Sequence, residues 1–85
     1  MPSPAFEQAA KDAKNFTKLP KDDELLELYG LYKQATIGDN NTSKPLVDFK
    51  GRYKWDAWNN NNGIPQVEAE VQYIELVERL KPLYE

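Results

Sequence analysis

Residues 22–38 read DDELLELYGLYKQATIG and carry a clear helical pattern. Three acids, Asp22-Asp23-Glu24, come first, and acidic side chains favour the positive end of a helix dipole. Apolar and aromatic side chains then recur at helical spacing along one stripe, which consists of Leu25, Leu28, Tyr32 and Ala35. Gly38 follows, and glycine is common just beyond a helix C-terminus. The segment therefore predicts an amphipathic helix that ends near Gly38.

Two further helices are predicted on either side of this segment. Ser3-Pro4 suits a helix start, because a serine hydroxyl caps free N–H groups and proline fits the first helical position. Apolar residues at helical spacing carry that first helix to about Asn15. Asp48 can cap a third helix, which we expect the asparagine run 59–62 and Gly63 to end.

A fourth helix with a wide apolar face is predicted to open at Pro65 and to stop at Pro82, with Asn62 as an alternative cap. Residues 39–45 are polar and turn-rich, which predicts a surface loop between the second and third helices. A connection of this length permits those two helices to run parallel. No stretch alternates as a strand does, so we expect a single all-α domain over residues 1–85, built as a four-helix bundle.

Composition restricts the chemistry open to these 85 residues. There is no cysteine and no histidine, so disulfides, thiolate metal sites and the usual general base are all excluded. We therefore expect neither an enzyme nor a metal or other cofactor. The net charge of −3 argues against a nucleic-acid binder, although residues 29–56 carry five bases against three acids. The chain shows neither a signal peptide nor a membrane span, and we expect a cytoplasmic protein.

One stripe of the second helix changes character along its length. Leu25, Tyr29 and Lys33 follow one another at intervals of four residues, from aliphatic to aromatic to cationic. Lys50 and Lys54 repeat that interval on the third helix. The order suits a ligand with an apolar tail, a ring and a phosphate. The other interpretation of the same pattern is a set of core aromatics whose neighbouring lysines extend to water.

Two longer motifs resemble those of the acyl-CoA-binding protein family. Residues 29–36 (YGLYKQAT), followed by Gly38-Asp39, are similar to the second helix of that family, and residues 48–58 (DFKGRYKWDAW) are similar to its third. Phe6, Ala9, Ala10 and Lys14 match its first helix, while residues 69–84 match its last. The resemblance implies an up-down-down-up four-helix bundle and covers essentially the whole chain.

The resemblance also implies a role for individual residues in binding a coenzyme A ester. Tyr29, Lys33 and Lys54 are expected to hold the 3′-phosphate, and Tyr32 to pack on the adenine. Tyr73 is expected to contact the coenzyme near the acyl chain, and Lys14 to add positive charge near the phosphates. The apolar contacts are expected from four residues: Leu25 and Leu26, which line the acyl groove, and Ala9 and Ala10, where the first helix approaches the ligand.

The function implied is that of a carrier that binds and sequesters medium- and long-chain fatty acyl-CoA esters, most simply as a monomer with at most transient membrane or enzyme contacts. The alternative is a helical interaction module whose groove holds a partner peptide. Two segments depart from the family pattern. The loop at residues 44–47 is about one residue shorter than is common, and asparagines replace the usual turn and cap before the fourth helix.

Overall fold

The computed structural model describes residues 2–85 and contains four α-helices. Their bounds are α1 Pro4–Lys14, α2 Asp22–Thr36, α3 Phe49–Asn59 and α4 Gln66–Tyr84. No strand occurs among these residues, so the all-α expectation is confirmed. The helices form the up-down-down-up bundle: α2 packs against both α3 and α4, and α1 packs against α4. No helix in the part of the chain described combines the length and the apolar character needed to cross a bilayer.

The predicted start signals work as expected at two helices. The Ser3 hydroxyl accepts a hydrogen bond from the Phe6 N–H, and Pro4 occupies the first position of α1. Asp48 caps α3, where its carboxylate accepts from the Gly51 N–H at 3.0 Å. α2 ends at Thr36, and Gly38 follows with a φ of +99°, a left-handed conformation that favours glycine.

The expectation that Pro82 stops α4 is wrong, because the helix continues through it to Tyr84. A proline in the last turn removes one intrahelical hydrogen bond, and the next turn still closes: the Glu85 N–H donates to the Lys81 carbonyl at 2.9 Å. Tertiary contacts also hold this turn. The Tyr84 carbonyl accepts from the Thr17 N–H at 2.8 Å, and the Tyr84 hydroxyl donates to the Glu24 carboxylate.

The alternative that Asn62 caps α4 is also wrong. Pro65 occupies the cap position, and its side chain has no group that could make a capping hydrogen bond. The Asn62 side chain instead binds the backbone of Asn40: its carbonyl oxygen accepts from the Asn40 N–H at 2.7 Å. Its amide donates to the Asn40 carbonyl at 3.4 Å. The asparagine run therefore joins the loop after α2 to the turn before α4, a tertiary role that local sequence patterns do not show.

The core lies where α4 crosses α1 and α2. It consists of Phe6, Ala9, Leu28, Leu31, Ala35, Ala69, Tyr73, Leu76, Val77 and Leu80. α3 adds only Trp58 to the buried apolar residues, and the Trp58 indole N–H donates to the Gly38 carbonyl at 2.8 Å. α3 comes close to α2 at Gly30, where a β-carbon would lie 2.3 Å from the Ala57 carbonyl oxygen. The two helices thus touch backbone to backbone at that level.

A polar network around buried Gln34 secures the loop between α2 and α3. Gln34 is 1% exposed, and its amide donates to the Asp39 carboxylate at 3.0 Å and to the Ile64 carbonyl at 2.8 Å. The same Asp39 oxygen accepts from the Gly63 N–H at 2.8 Å. The hydrogen bond from the Gly63 N–H, which has the largest effect, and the one from the Gln34 amide hold the pKa of Asp39 below its ordinary value. The charged form of Asp39 is therefore the one that joins α2 to the turn before α4.

We expect Asp39→Asn to lower the urea midpoint of unfolding at neutral pH, because the amide accepts the two hydrogen bonds more weakly than the carboxylate does. A carboxyl whose pKa is depressed in the folded state stabilises the fold above its unfolded pKa, and the contribution is lost as the pH falls through the folded value. The gap between the two proteins should therefore close in acid. Glu75→Gln is the control, since exposed Glu75 makes no hydrogen bond or ion pair within residues 2–85. A gap that persists unchanged in acid would contradict this assignment.

Candidate functional site

Tyr29 lies at the centre of a small cationic site between α2 and α3. The Lys54 ammonium is 5.4 Å from the centroid of its ring, and the Lys33 ammonium is 5.9 Å from it. Lys33 also lies over the Trp58 ring, at 5.3 Å. Within residues 2–85 neither lysine forms an ion pair with a carboxylate. Two positive charges therefore converge on the ring of Tyr29, and the described residues supply only π-faces as their partners.

Helical spacing explains part of this arrangement, and helix packing explains the rest. Tyr29 and Lys33 are one turn apart on α2, so their side chains share a face. Lys54 comes from α3 and reaches the same ring because α2 and α3 touch at Gly30 and Ala57. The result is a positive spot on a protein whose net charge is −3.

An apolar groove, here called the tail groove, begins at this cationic site. Its volume is about 440 Å³. It is lined by Asp22, Leu25, Leu26, Tyr29, Lys50, Tyr53 and Lys54. Its lysines lie on the α3 side, while Leu25 and Leu26 supply its apolar wall from α2. A groove with an apolar wall and a cationic rim suits a molecule that is anionic at one end and hydrocarbon at the other.

A second pocket, here called the ring pocket, lies on the other side of Tyr29. Its volume is about 290 Å³, and it is lined by Ala10, Ala13, Lys14, Leu25, Leu28, Tyr29, Tyr32 and Tyr73. Two of its aromatic side chains, Tyr32 and Tyr73, pack against the buried ring of Phe6. The rings of Phe6 and Tyr32 are stacked at an interplanar angle of 26° with centroids 5.6 Å apart, whereas the Tyr73 ring is tilted against both, at 5.0 Å from Phe6 and 5.9 Å from Tyr32. Tyr32 is 42% exposed, so its outer face is open to a planar ligand.

The two spaces adjoin, because Leu25 and Tyr29 line both of them. A ligand could therefore occupy the ring pocket and the tail groove at once, passing over Tyr29 beside Lys33 and Lys54. The continuity matters for chemistry, because it places the cationic site at the junction between an aromatic pocket and an apolar groove. One molecule with a ring, an anionic group and a hydrocarbon chain would meet all three.

Tyr73 forms the floor of the ring pocket and is only 4% exposed. Burial, with a smaller contribution from neighbouring Tyr32, raises the pKa of Tyr73 to about 12. No hydrogen bond to its hydroxyl group occurs within the described chain. Tyr73 is therefore a neutral phenol at any physiological pH, and it presents a polar but uncharged group to the pocket.

The structure brings together nine of the ten residues expected at the site. Eight of them line the tail groove or the ring pocket: Ala10, Lys14, Leu25, Leu26, Tyr29, Tyr32, Lys54 and Tyr73. Lys33 lies against the ring of Tyr29. Ala9 is different: it is 5% exposed and belongs to the core beneath the ring pocket. The ligand contacts of all ten residues stay predictions.

The set of site residues implied by the resemblance omits Tyr53 and Lys50, although both line the tail groove. The signal that could have found them was present in the chain. Residues 50, 53, 54 and 57 are spaced at three and four positions and so share one face of α3. Lys54, on the same face, was expected from the resemblance to hold the 3′-phosphate. In residues 2–85, no group of three or more acidic side chains is arranged to hold a metal ion.

The fold and the site together define a class of protein: a small helical bundle with an external groove for an amphiphilic anion. A family profile described as "Acyl CoA binding protein" matches residues 3–77. The chain is 49% identical to an acyl-CoA-binding protein homolog of Drosophila melanogaster, over 99% of each chain. It is 51% identical to the acyl-CoA-binding protein of Saccharomyces cerevisiae, over 99% of this chain and 98% of that one. The protein therefore belongs to the acyl-CoA-binding protein family.

Solved structures support the same assignment. The crystal structure of Oryza sativa acyl-CoA-binding protein 2 superposes with a TM-score of 0.85 at 43% identity, over 89% of this chain and 86% of the other. The solution structure of acyl coenzyme A binding protein from yeast gives a TM-score of 0.78 at 51% identity, over 96% of each chain. The similarity extends over nearly the full length of each of these chains.

We expect the free energy of unfolding of Tyr73→Phe to fall less steeply than that of the wild type as the pH rises into the alkaline range. The raised pKa means that neutral Tyr73 stabilises the fold fully below pH 10, and that this contribution is lost between pH 10 and about 12. Chemical unfolding across this range should show a shallower decline for Tyr73→Phe than for the wild type. Tyr53→Phe, which removes the hydroxyl of an exposed tyrosine, is the matched control. Identical alkaline declines for Tyr73→Phe and the wild type would contradict the assigned burial of this phenol.

Proposed function

We propose that this protein binds medium- and long-chain fatty acyl-CoA esters and acts as their intracellular carrier and pool former. The observation that carries the proposal is the position of Lys33 and Lys54 over the Tyr29 ring, at the junction of the ring pocket and the tail groove. Acyl-CoA carries a nucleotide, phosphates and a hydrocarbon chain, and these three parts suit the ring pocket, the cationic site and the tail groove. The similarity to named acyl-CoA-binding proteins supports the same ligand.

Within this proposal the polar half of the ligand occupies the cationic site and the ring pocket. Lys33 and Lys54 hold the 3′-phosphate as point charges, and the hydroxyl of Tyr29 adds a hydrogen bond. The adenine packs on the exposed face of Tyr32, with Ala10 at the edge of the ring pocket, and Tyr73 contacts the coenzyme near its acyl chain. Lys14, on the rim of the ring pocket, adds positive charge near the other phosphates.

The acyl chain occupies the tail groove along Leu25 and Leu26. Each methylene withdrawn from water contributes about 0.8 kcal/mol, which corresponds to roughly a fourfold gain in affinity. A long chain therefore supplies most of the binding free energy, and the phosphate contacts orient the ligand. Because the protein is anionic overall, capture depends on the local lysines and weakens with salt.

The proposal makes the protein a carrier and not an enzyme. With no histidine or cysteine in the chain, no hydroxyl group near the grooves has a conventional base to activate it for attack on the thioester. We further propose that it works without metal or cofactor, as a monomer in the cytoplasm, with at most transient membrane or enzyme contacts. A peptide-binding module is the less favoured alternative, because an apolar helix would leave Lys33 and Lys54 without anionic partners.

Calorimetric titration with a saturated series of acyl-CoA esters is expected to show affinity rising with chain length. The expected slope is about fourfold per methylene while the chain fills the tail groove. Free coenzyme A should bind far more weakly than its long-chain esters. The same affinity for free coenzyme A and for every ester would remove the carrier assignment.

Lys33→Ala and Tyr29→Phe are expected to weaken long-chain acyl-CoA binding and to leave the helical circular dichroism intact. Loss of one charge-assisted contact costs about 1.5–3 kcal/mol, so Lys33→Ala should weaken binding by roughly tenfold to a hundredfold. The control is Lys11→Ala, which removes an exposed lysine of α1 that lines neither groove. If Lys33→Ala and Lys11→Ala bind equally well, the phosphate site lies elsewhere.

A further inference from the structure

A third space, here called the outer cleft, lies next to the tail groove and has no role in the function proposed above. It is also formed between α2 and α3, and its volume of about 400 Å³ is close to that of the tail groove. Its apolar floor comes from Leu26, Tyr53 and Ala57. Its rim carries the carboxylates of Asp23, Glu27 and Asp56.

Two side chains separate the outer cleft from the tail groove. Leu26 of α2 and Tyr53 of α3 line both spaces, so each presents one side to the tail groove and the other to the outer cleft. Tyr53 is the larger of the two and is 61% exposed. Its hydroxyl makes no hydrogen bond within residues 2–85, so packing alone holds the ring. The division between the two spaces therefore depends on Leu26 and on one exposed aromatic side chain, which is the larger of the two.

The outer cleft ends where α2 and α3 touch. Ala57 and Asn61 line it, and both lie against Gly30, whose β-carbon position is 2.3 Å from the Ala57 carbonyl oxygen and 3.0 Å from the Asn61 amide nitrogen. No space remains between the helices at that level. An extended molecule that entered the outer cleft from the tail groove would therefore pass between Leu26 and Tyr53.

The charges around the outer cleft select which end of an amphiphile can enter. Asp56 is paired with Lys44 at 2.9 Å, and the Glu27 carboxylate lies 3.9 Å from Arg79. None of the residues that line the cleft is a cation, the nearby Lys44 and Arg79 are paired with carboxylates, and Asp23 repels a phosphate. The floor of Leu26 and Ala57 accepts uncharged hydrocarbon. The terminal methyl end of an acyl chain fits this cleft, whereas a nucleotide does not.

We propose that Tyr53 limits the acyl-chain length that this protein accommodates, by closing the tail groove off from the outer cleft. This inference rests on the proposed acyl-CoA binding. Chains that end before Tyr53 gain affinity with every methylene, because each one leaves water in the tail groove. Longer chains meet the ring, and their extra methylenes stay in solvent and add nothing. Removing the ring joins two apolar spaces of similar size into one longer groove.

The test is a calorimetric titration of each variant with saturated acyl-CoA esters from medium to very long chains. For the wild type, affinity should rise about fourfold per methylene up to a break and then stay level. For Tyr53→Ala the break should move several methylenes to longer chains. For each protein, the affinity for the longest ester is divided by the affinity for the ester at the wild-type break. This ratio should be at least about tenfold larger for Tyr53→Ala than for the wild type.

Two matched variants separate the size of the ring from other effects. Tyr53→Phe keeps the ring and should keep the wild-type break, whatever happens to absolute affinity. The double variant Tyr53→Ala, Ala57→Leu fills the outer cleft from its floor, so its break should return toward the wild-type length. Val71→Ala, on α4 and away from all three spaces, controls for a general effect of removing exposed apolar surface.

A break at the same length in Tyr53→Ala and in the wild type, with a clear rise before it in both, would overturn the role of Tyr53 and leave the carrier function standing. A flat series in every variant would overturn both. Should Tyr53→Ala prove unfolded by circular dichroism, Tyr53→Leu replaces it. The narrower leucine side chain should move the break in the same direction by a smaller amount, and an unmoved break there also overturns the inference.

Discussion

The contact between α2 and α3 is the constraint on which the rest of the site depends. The two helices meet at Gly30 and Ala57, close enough that a single β-carbon would lie 2.3 Å from a carbonyl oxygen. Toward Leu26 and Tyr53 the helices leave room between them, and this room is the tail groove and the outer cleft. The same contact brings Lys54 over the ring of Tyr29. Groove, cleft and cationic site therefore share one cause, the close approach of two backbones at a glycine.

The segment between α2 and α3 holds that contact in place through polar bonds. α3 contributes little to the buried core, so hydrophobic packing alone gives it few fixed points. The Trp58 indole donates to the Gly38 carbonyl, and the Trp55 indole donates to the Thr42 carbonyl at 3.0 Å. The Asn40 amide donates to the Trp55 carbonyl at 3.4 Å. Because these bonds tie α3 to the loop before it, the position of Lys54 depends on residues that touch no groove.

Features of the fold that depend on residues close together in the chain could be predicted from sequence, whereas those that depend on distant residues could not. The helix starts at Ser3 and Asp48 were predictable, because capping depends on residues three apart. The end of α4 was not, since contacts of Tyr84 with Thr17 and Glu24 hold the turn that contains Pro82. Asn62 was assigned as an alternative local cap, whereas its partner is Asn40, far away in the sequence.

The functional site shows the same difference between short-range and long-range interactions. Tyr29 and Lys33 could be paired from their spacing alone. The convergence of Lys54 on Tyr29 came only from the resemblance, because spacing within α3 does not say which α2 residue a side chain will reach. Ala9 and Ala10 are adjacent in the chain, yet one packs in the core and the other lines the ring pocket, since neighbouring residues on a helix point about 100° apart. The outer cleft depends on two helices, so neither motif revealed it.

The arrangement of the site along α2 bears on the ligand it can hold. Leu25, Tyr29 and Lys33 span nine residues of one helix, which is eight steps and a rise of about 12 Å. The apolar wall, the junction and the cation are thus joined by an unbroken series of backbone hydrogen bonds, and the distance between them cannot change without disrupting α2. The wall between the tail groove and the outer cleft is less rigidly held than the residues along α2. It depends on Tyr53, an exposed side chain on a helix with little buried apolar surface. A groove built in this way has a fixed separation between its cationic and apolar ends, and its wall toward the outer cleft depends on one exposed ring. Under the proposed function, α2 fixes where the polar half of the ligand is held, while the bulk of Tyr53 limits the length of its chain.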